Sequence, residues 1–391
     1  MKGAAARPDP LRGREETERV TRQCFDTFVM VGGPRDETMK AIIKSRAEPG
    51  ALDWADWPDP VALPGQVVVD VVRAGICSTD VAIYDWTYRG RQPVAVPSVL
   101  GHEGVGVVRE LGEGVRELAV GDRVALQVIW GHAQAEQSLL GYENLDPDWL
   151  HLGASELGGA FAERVAADAD HLVRLPANVS WADGALLEPV AVAAHALELV
   201  GLSPGETVAL VGPGPFGQIM CQIARRGGAS RIVAVGLAEL DEPRLEVARA
   251  SAGVDWVVTH AGDTNRTAAE VTGLLGGHGA DVVFDCGGTA ASLPLALEIA
   301  APAARVAVFG FAVDATIEPF RHIIRKGLSL AGVSAAQRRH YGVALRMLAR
   351  ELIRPSAIVT HALPMCEAVD GLELVKSRVA TKVALTASEG P

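Results

Sequence analysis

A chain of 391 residues in which 49% are hydrophobic carries more than one comfortable core, and two domains are expected. Its formal net charge of -12 argues against nucleic acid and anionic membrane as partners, because the overall field repels both. No apolar stretch approaches the ~18 residues that span a bilayer, and the five scattered cysteines suit reduced thiols better than a disulfide framework, so a cytoplasmic location is expected.

Residues 1–38 mix Gly, Pro, Arg and Glu without sustained periodicity, and Gly32-Gly33-Pro34 breaks the chain before M-K-A-I-I-K begins at Met39. This extension is expected to be a mobile or loosely docked arm, or the product of an upstream start codon, and no chemistry is assigned to it. From Met39 to about Asp168, short β-rich runs at 66–72, 104–109 and 123–128 are separated by Gly, Pro and Asp, which predicts a compact β-rich domain. From about Val190 the texture changes. Strands at 206–211, 231–235, 280–285 and 304–309 alternate with helices at 216–226, 244–251 and 291–300, which predicts a parallel sheet with helices on both faces. After about Gly332 come a helix at 342–351, a short strand at 358–360, another helix and a final strand at 382–385. That tail is too small to stand alone and is expected to return to the first domain. The reading is an α/β chain with a β-rich unit of residues 39–189 plus 333–391 and a doubly wound unit of residues 190–332.

The strand V-A-L-V leads into G-P-G-P-F-G at 212–217, which opens an apolar helix. In that context Gly212 permits the tight turn, Gly214 lets the backbone approach a pyrophosphate and Gly217 allows helix to pack on strand, with Pro215 and Phe216 completing the turn. The plainer reading is a glycine turn in an empty α/β domain. At the end of the next strand, where an acidic side chain normally takes the adenosine ribose hydroxyls, the chain carries Gly236. A 2′-phosphate gains room there, yet no Arg or Lys follows until Arg244, and Glu239 and Asp241 would repel it. NAD is therefore the expected coenzyme and NADP its rival. Cys286 in D-C-G-G sits at a strand end near the expected coenzyme, where simple packing also accounts for it.

Three further motifs carry metal-binding side chains: G-I-C-S-T-D at 75–80, G-H-E-G-V-G at 101–106 and L-L-E-P at 186–189. Cys77, His102, Glu103 and Glu188 supply thiolate, imidazole and carboxylate donors, which describe a catalytic zinc that polarises an alcohol oxygen as a Lewis acid. Asp80 is placed to orient His102 through its free ring nitrogen, and Thr79 to receive the alcohol proton. Each residue alone has a duller reading: a buried free thiol, a structural histidine, a Glu-Pro helix start. His195, further along the helix that follows Glu188, reads as a packed helix residue.

These residues in this order resemble the zinc-dependent medium-chain dehydrogenases over residues 39–385, and within them the threonine and polyol (sorbitol) branch. The stretches C-S-T-D-V-A-I-Y-D-W, G-H-E-G-V-G, G-A-F-A-E at 159–163 and A-L-L-E-P carry the likeness. The resemblance implies a GroES-like catalytic domain split around a Rossmann domain, zinc on Cys77 and His102 with Glu103 or Glu188 completing the set, and a homodimer or homotetramer. It also implies nicotinamide-facing loops at Gly310, Phe311, Val333 and Ser334, and an approach of Lys382 to the pyrophosphate. Three departures stand out. The stretch 127–158, where the family's structural zinc lobe carries four cysteines, has none, with Tyr142 where the last would be, so one zinc is expected. Ala82 stands where the branch often has histidine, which weakens a threonine substrate. The aromatic insert W-G-H at 130–132 with D-W-L-H-L at 148–152 is expected to fill the emptied lobe rather than cap the pocket.

The sequence thus predicts a zinc-dependent, NAD(P)-linked dehydrogenase that interconverts a small polar secondary alcohol (polyol, sugar-derived or amino alcohol) and its ketone. The alternatives are a metal-free reductase of an activated double bond and a non-catalytic nucleotide-binding protein.

Overall fold

The computed structural model describes residues 37–90, 93–309 and 316–387. The arm expected over residues 1–38 lies outside them up to residue 36, as do Gly310 and Phe311. No helix among the described residues is long and apolar enough to cross a membrane.

The chain enters on a hairpin of β1 (Thr38–Lys44) and β2 (Leu52–Pro58), with β4 (Ser98–Val99) on the other edge of β1. Met39, Ala41 and Ile43 on one face of β1 pack on Val99 and Ala162, while Ile42 on the other face joins the main core of the domain, so β1 is covered on both sides. The main sheet of this domain gathers β3 (Gln66–Gly75), β5 (Glu103–Leu111), β6 (Arg123–Leu126), β9 (Arg164–Asp168) and β10 (Leu172–Arg174) around the long β3–β5 ladder. The tail does return: β17 (Val359–Pro364) and β18 (Lys382–Thr386) extend the same sheet, and β18 pairs antiparallel with β3 through Gly75 and Ala384. A small ribbon of β7 (Ile129–Trp130) and β8 (Leu150–His151) brackets the cysteine-free insert.

The second domain is a sheet of six described strands in the order β13-β12-β11-β14-β15-β16, every ladder parallel. Its strands are β11 (Thr207–Val211), β12 (Arg231–Leu237), β13 (Trp256–His260), β14 (Ala280–Asp285), β15 (Ala300–Val308) and β16 (Ser329–Gly332). Central strands are apolar without alternation: Val208 to Leu210 and Ile232 to Ala234 are all 0% exposed, because helices cover both faces. The order reverses between β11 and β14, which opens a crevice at the carboxyl ends of the strands. The sequence reading did not name β13 or β16. Both are edge strands, and W-V-V-T-H and S-L-A-G bury too little to announce themselves.

Candidate active site

β3 runs directly into Cys77, which stands at the N-terminus of helix α1 (Ser78–Tyr84). Asp80, three residues on, turns back so that its Oδ2 accepts the Cys77 backbone N–H at 2.8 Å, fixing the thiol at the helix entrance. The β3–β5 ladder pairs Gly75 with Glu103, which brings His102 and Glu103 beside that entrance. One donor atom from each of Cys77, His102 and Glu103 lies within 4.8 Å of the others. The second Asp80 oxygen stands 3.4 Å from His102 Nδ1, the relationship expected of a carboxylate that steers the ring. Burial pulls the His102 pKa down, but Asp80 and Cys77 outweigh it and hold the ring well above the usual histidine value. The Thr79 hydroxyl lies 3.9 Å from the Cys77 sulfur.

Glu188, in the first turn of the helix Leu187–Val200, stands outside that close group. Its carboxyl is pushed up to about 7, chiefly by burial, with His102 pulling it down and Glu103 pushing it further up. Thiol, imidazole and carboxylate gathered in one niche, the thiol half-buried and the other two buried, with Asp80 steadying the ring, are a donor set that fits zinc. Cys77, His102 and Glu103 would hold it, with Glu188 nearby.

Lys382 differs from expectation. It is 2% exposed, and its ammonium donates to Glu103 Oε1 at 2.6 Å and to the Ile76 carbonyl at 2.9 Å rather than reaching the nucleotide cleft. A lysine buried this deeply needs such partners, and β18 delivers it to them through its pairing with β3.

The insert at 127–158 divides its work. Trp130 is buried and stacks on His171 with centroids 4.7 Å apart, and Trp149 packs with Val128 and Ile129, so both fill the lobe. Asp146 ties the lobe together, accepting the backbone N–H groups of His132 at 2.6 Å and Asp148 at 3.0 Å. His151 instead meets the edge of the His102 ring at 5.1 Å between centroids and that of Tyr88 at 6.5 Å. Burial drops its pKa to about 3, with the neighbouring His102 lowering it further. Its only sequence signal was the histidine in D-W-L-H-L. His195 is a packed helix residue, as expected: its Nδ1 donates to the Ala335 carbonyl and its ring stacks on His340.

At the crevice, Gly212 takes φ +98°, and a Cβ on it would come within 2.7 Å of the Gly287 backbone. A Cβ on Gly217 would sit 2.4 Å from the Gly212 carbonyl, so helix Pro215–Arg226 can approach β11 only without one. Nothing lies within 4 Å of the corresponding point on Gly214, whose backbone faces open space. Gly212, Gly214, Gly236, Arg244 and Cys286 line one cleft. Pro215 and Phe216 form the first helical turn, the Phe216 ring 4.3 Å from that of Phe309. Val333 donates to the Val308 carbonyl, and the Ser334 carbonyl accepts the Asn144 amide at 2.6 Å.

Arg244 lines the cleft, but its guanidinium donates to the Val375 and Ala380 carbonyls of the other domain. Two further lining residues escaped the sequence reading as ligands: Asp241, and Arg378, whose Nη1 donates to Asp241 Oδ1 at 2.9 Å. Only the tail's return to the first domain brings Arg378 there.

Known proteins extend this picture. Residues 63–177 match the family model of the alcohol dehydrogenase GroES-like domain, and residues 215–350 that of the zinc-binding dehydrogenases. A sorbitol dehydrogenase of Halalkalibacterium halodurans is 32% identical over 351 residues, 89% of this chain and 99% of that protein. The structure of 2R,3R-butanediol dehydrogenase from Bacillus subtilis superposes with a TM-score of 0.79 at 27% identity, covering 90% of this chain and 100% of that one. A zinc-binding dehydrogenase from Sinorhizobium meliloti, bound to NADP, gives 0.80 at 27% identity over 90% and 99% of the two chains. The GroES-like domain, the parallel coenzyme-type sheet and these relatives agree: the chain belongs to the zinc-dependent medium-chain dehydrogenase family, in its polyol dehydrogenase-like branch.

Proposed function

We propose that this protein is a zinc-dependent, NAD-linked dehydrogenase that interconverts a small polar secondary alcohol, of the polyol class, and its ketone. The close group of half-buried Cys77 with buried His102 and Glu103 carries the reading, because it places three metal donors of different chemistry in one niche of a dehydrogenase fold. Zinc held there supplies a Lewis acid, and a nicotinamide in the crevice supplies the hydride acceptor.

The chain's own residues do the rest. Asp80 holds the Cys77 N–H and the His102 ring in register. The Thr79 hydroxyl, partly exposed beside the Cys77 sulfur, takes the proton that leaves the alcohol and passes it toward solvent. Gly212, Gly214 and Gly217 seat the pyrophosphate. NAD is favoured because Asp241 places a carboxylate in the cleft beside Gly236, while Arg244 is already engaged with carbonyls and Arg378 with Asp241. NADP, which the Sinorhizobium meliloti relative binds, is the alternative. One zinc per chain and a homodimer or homotetramer complete the proposal.

Cys77→Ala tests it. The variant should lose bound zinc by elemental analysis and alcohol oxidation by nicotinamide absorbance together, while NADH still binds. Turnover retained by a metal-free variant rejects the mechanism in favour of a metal-free reductase.

A further inference from the structure

The insert that replaces the cysteine-rich lobe brings one polar ring into the site. β8 ends at His151, and its pairing with β7 sets the imidazole edge-on to His102 and Tyr88, with Trp149 behind it at 5.7 Å. His151 Nδ1 lies 2.7 Å from the Leu152 carbonyl. A carbonyl only accepts, so Nδ1 carries the proton and Nε2 of the neutral ring holds a lone pair. Nε2 has no hydrogen-bond partner among the described residues and is not sealed from solvent, although the residue keeps only 9% of its exposure. An acceptor that solvent reaches, with no protein donor on it, is free to take a hydrogen bond from an occupant that brings one.

We propose that His151 is a specificity residue: its Nε2 accepts a hydrogen bond from a second substrate hydroxyl, on the carbon next to the reacting one, and so selects vicinal diols over mono-alcohols. The inference rests on the dehydrogenase reading above. An alkyl group at that place offers the lone pair nothing, whereas a neighbouring hydroxyl is the nearest donor that a substrate held beside His102 presents to the ring. His151 is not part of the close donor group of Cys77, His102 and Glu103, which separates this role from metal binding.

The test compares kcat/KM for 2,3-butanediol and for 2-butanol in the zinc-loaded, full-length protein with NAD. The wild type should prefer the diol. His151→Phe should cut the diol-to-monoalcohol ratio by about 10- to 100-fold, with zinc content and NADH affinity unchanged, and His151→Gln, which keeps an acceptor, should recover part of it. His151→Met makes the same removal should the Phe variant not accumulate as folded protein. A ratio unmoved in the apolar variants overturns the subsite alone, and loss of zinc with the ratio overturns it in favour of a metal-holding histidine. A wild type that oxidises neither alcohol overturns the dehydrogenase reading, and the subsite with it.

Discussion

The Lys382 ammonium and the Glu103 carboxylate meet in a niche where neither side chain keeps more than 3% of its exposure, Nζ standing 2.6 Å from Oε1 and 2.5 Å from Oε2. Gly75 makes the pair fit, because a Cβ there would lie 2.1 Å from Glu103 Oε2 and 3.2 Å from Lys382 Cε. Burial pulls the lysine pKa down, but Glu103 outweighs it and the ammonium stays charged. Removing one partner strands the other. Lys382→Met should therefore cost about 3–5 kcal/mol of stability in the metal-free protein, measured by denaturant unfolding with a chelator present. Added zinc should restore part of that loss, and Lys382→Met with Glu103→Gln should restore most of it. A double variant no more stable than the single one would show that the cost arises elsewhere.

Glu188 gives the metal-free protein a pH signature. Its folded pKa of about 7 lies above the ordinary value of 4.5, so between these limits the folded chain holds a proton that the unfolded chain has lost. Stability from this group is full below pH 4.5 and disappears as pH rises through about 7. The shift sets a ceiling of about 3 kcal/mol, reduced by the side chain's remaining contact with water. His102 also sheds stability as pH rises, but from its ordinary 6.5 up to its raised folded value. Unfolding curves of metal-free wild type and Glu188→Gln separate the two, since the variant should lose the slope below pH 7 and keep the later one. Zinc should stabilise the wild type most at pH 7 and above, where it meets a carboxylate.

Asp80 acts through the residues it holds. Asp80→Asn keeps the shape but gives up the charge that faces His102 Nδ1 at 3.4 Å and the strong acceptor for the Cys77 N–H. Zinc affinity should fall by about 10- to 100-fold, read by competition with a chromogenic chelator, with NADH binding unaltered. Unchanged affinity would reduce Asp80 to a helix cap.

Much of this was legible along the chain because its signals are local. Val208-Ala209-Leu210-Val211 is buried on both faces and reads as a parallel strand, and the glycines at 212, 214 and 217 follow it directly. Cys77, His102 and Asp80 lie within short motifs at the ends of paired strands. What stayed hidden depends on long-range contacts. Lys382 and Glu103 are 279 residues apart, and it takes the β18–β3 and β3–β5 pairings together to join them, so a lysine at the last strand gave no sign of facing inward. His151 depends on how a small ribbon folds across a lobe without cysteines. Edge strands β13 and β16 lack the continuous burial that marks their neighbours.

Asp241 shows how a side chain absent from its usual sequence position is supplied from another. A Cβ on Gly236 would lie 3.0 Å from the Asp241 Cβ, so the aspartate, five residues on, occupies the space at the end of β12. Its Oδ2 accepts the Leu237 N–H at 2.8 Å and its Oδ1 the Arg378 guanidinium at 2.9 Å, in the lining of the cleft. A 2′-phosphate entering here meets a fixed negative charge, whereas ribose hydroxyls meet an acceptor. Asp241→Asn should raise the ratio of NADPH to NADH affinity by about tenfold or more, because it removes the repulsion and frees Arg378 to face a phosphate. Fluorescence titration of both reduced coenzymes checks this. Tighter binding of NADPH than NADH by the wild type would reverse the assignment, making Arg378 and Arg244 the selecting groups and Asp241 their counter-charge.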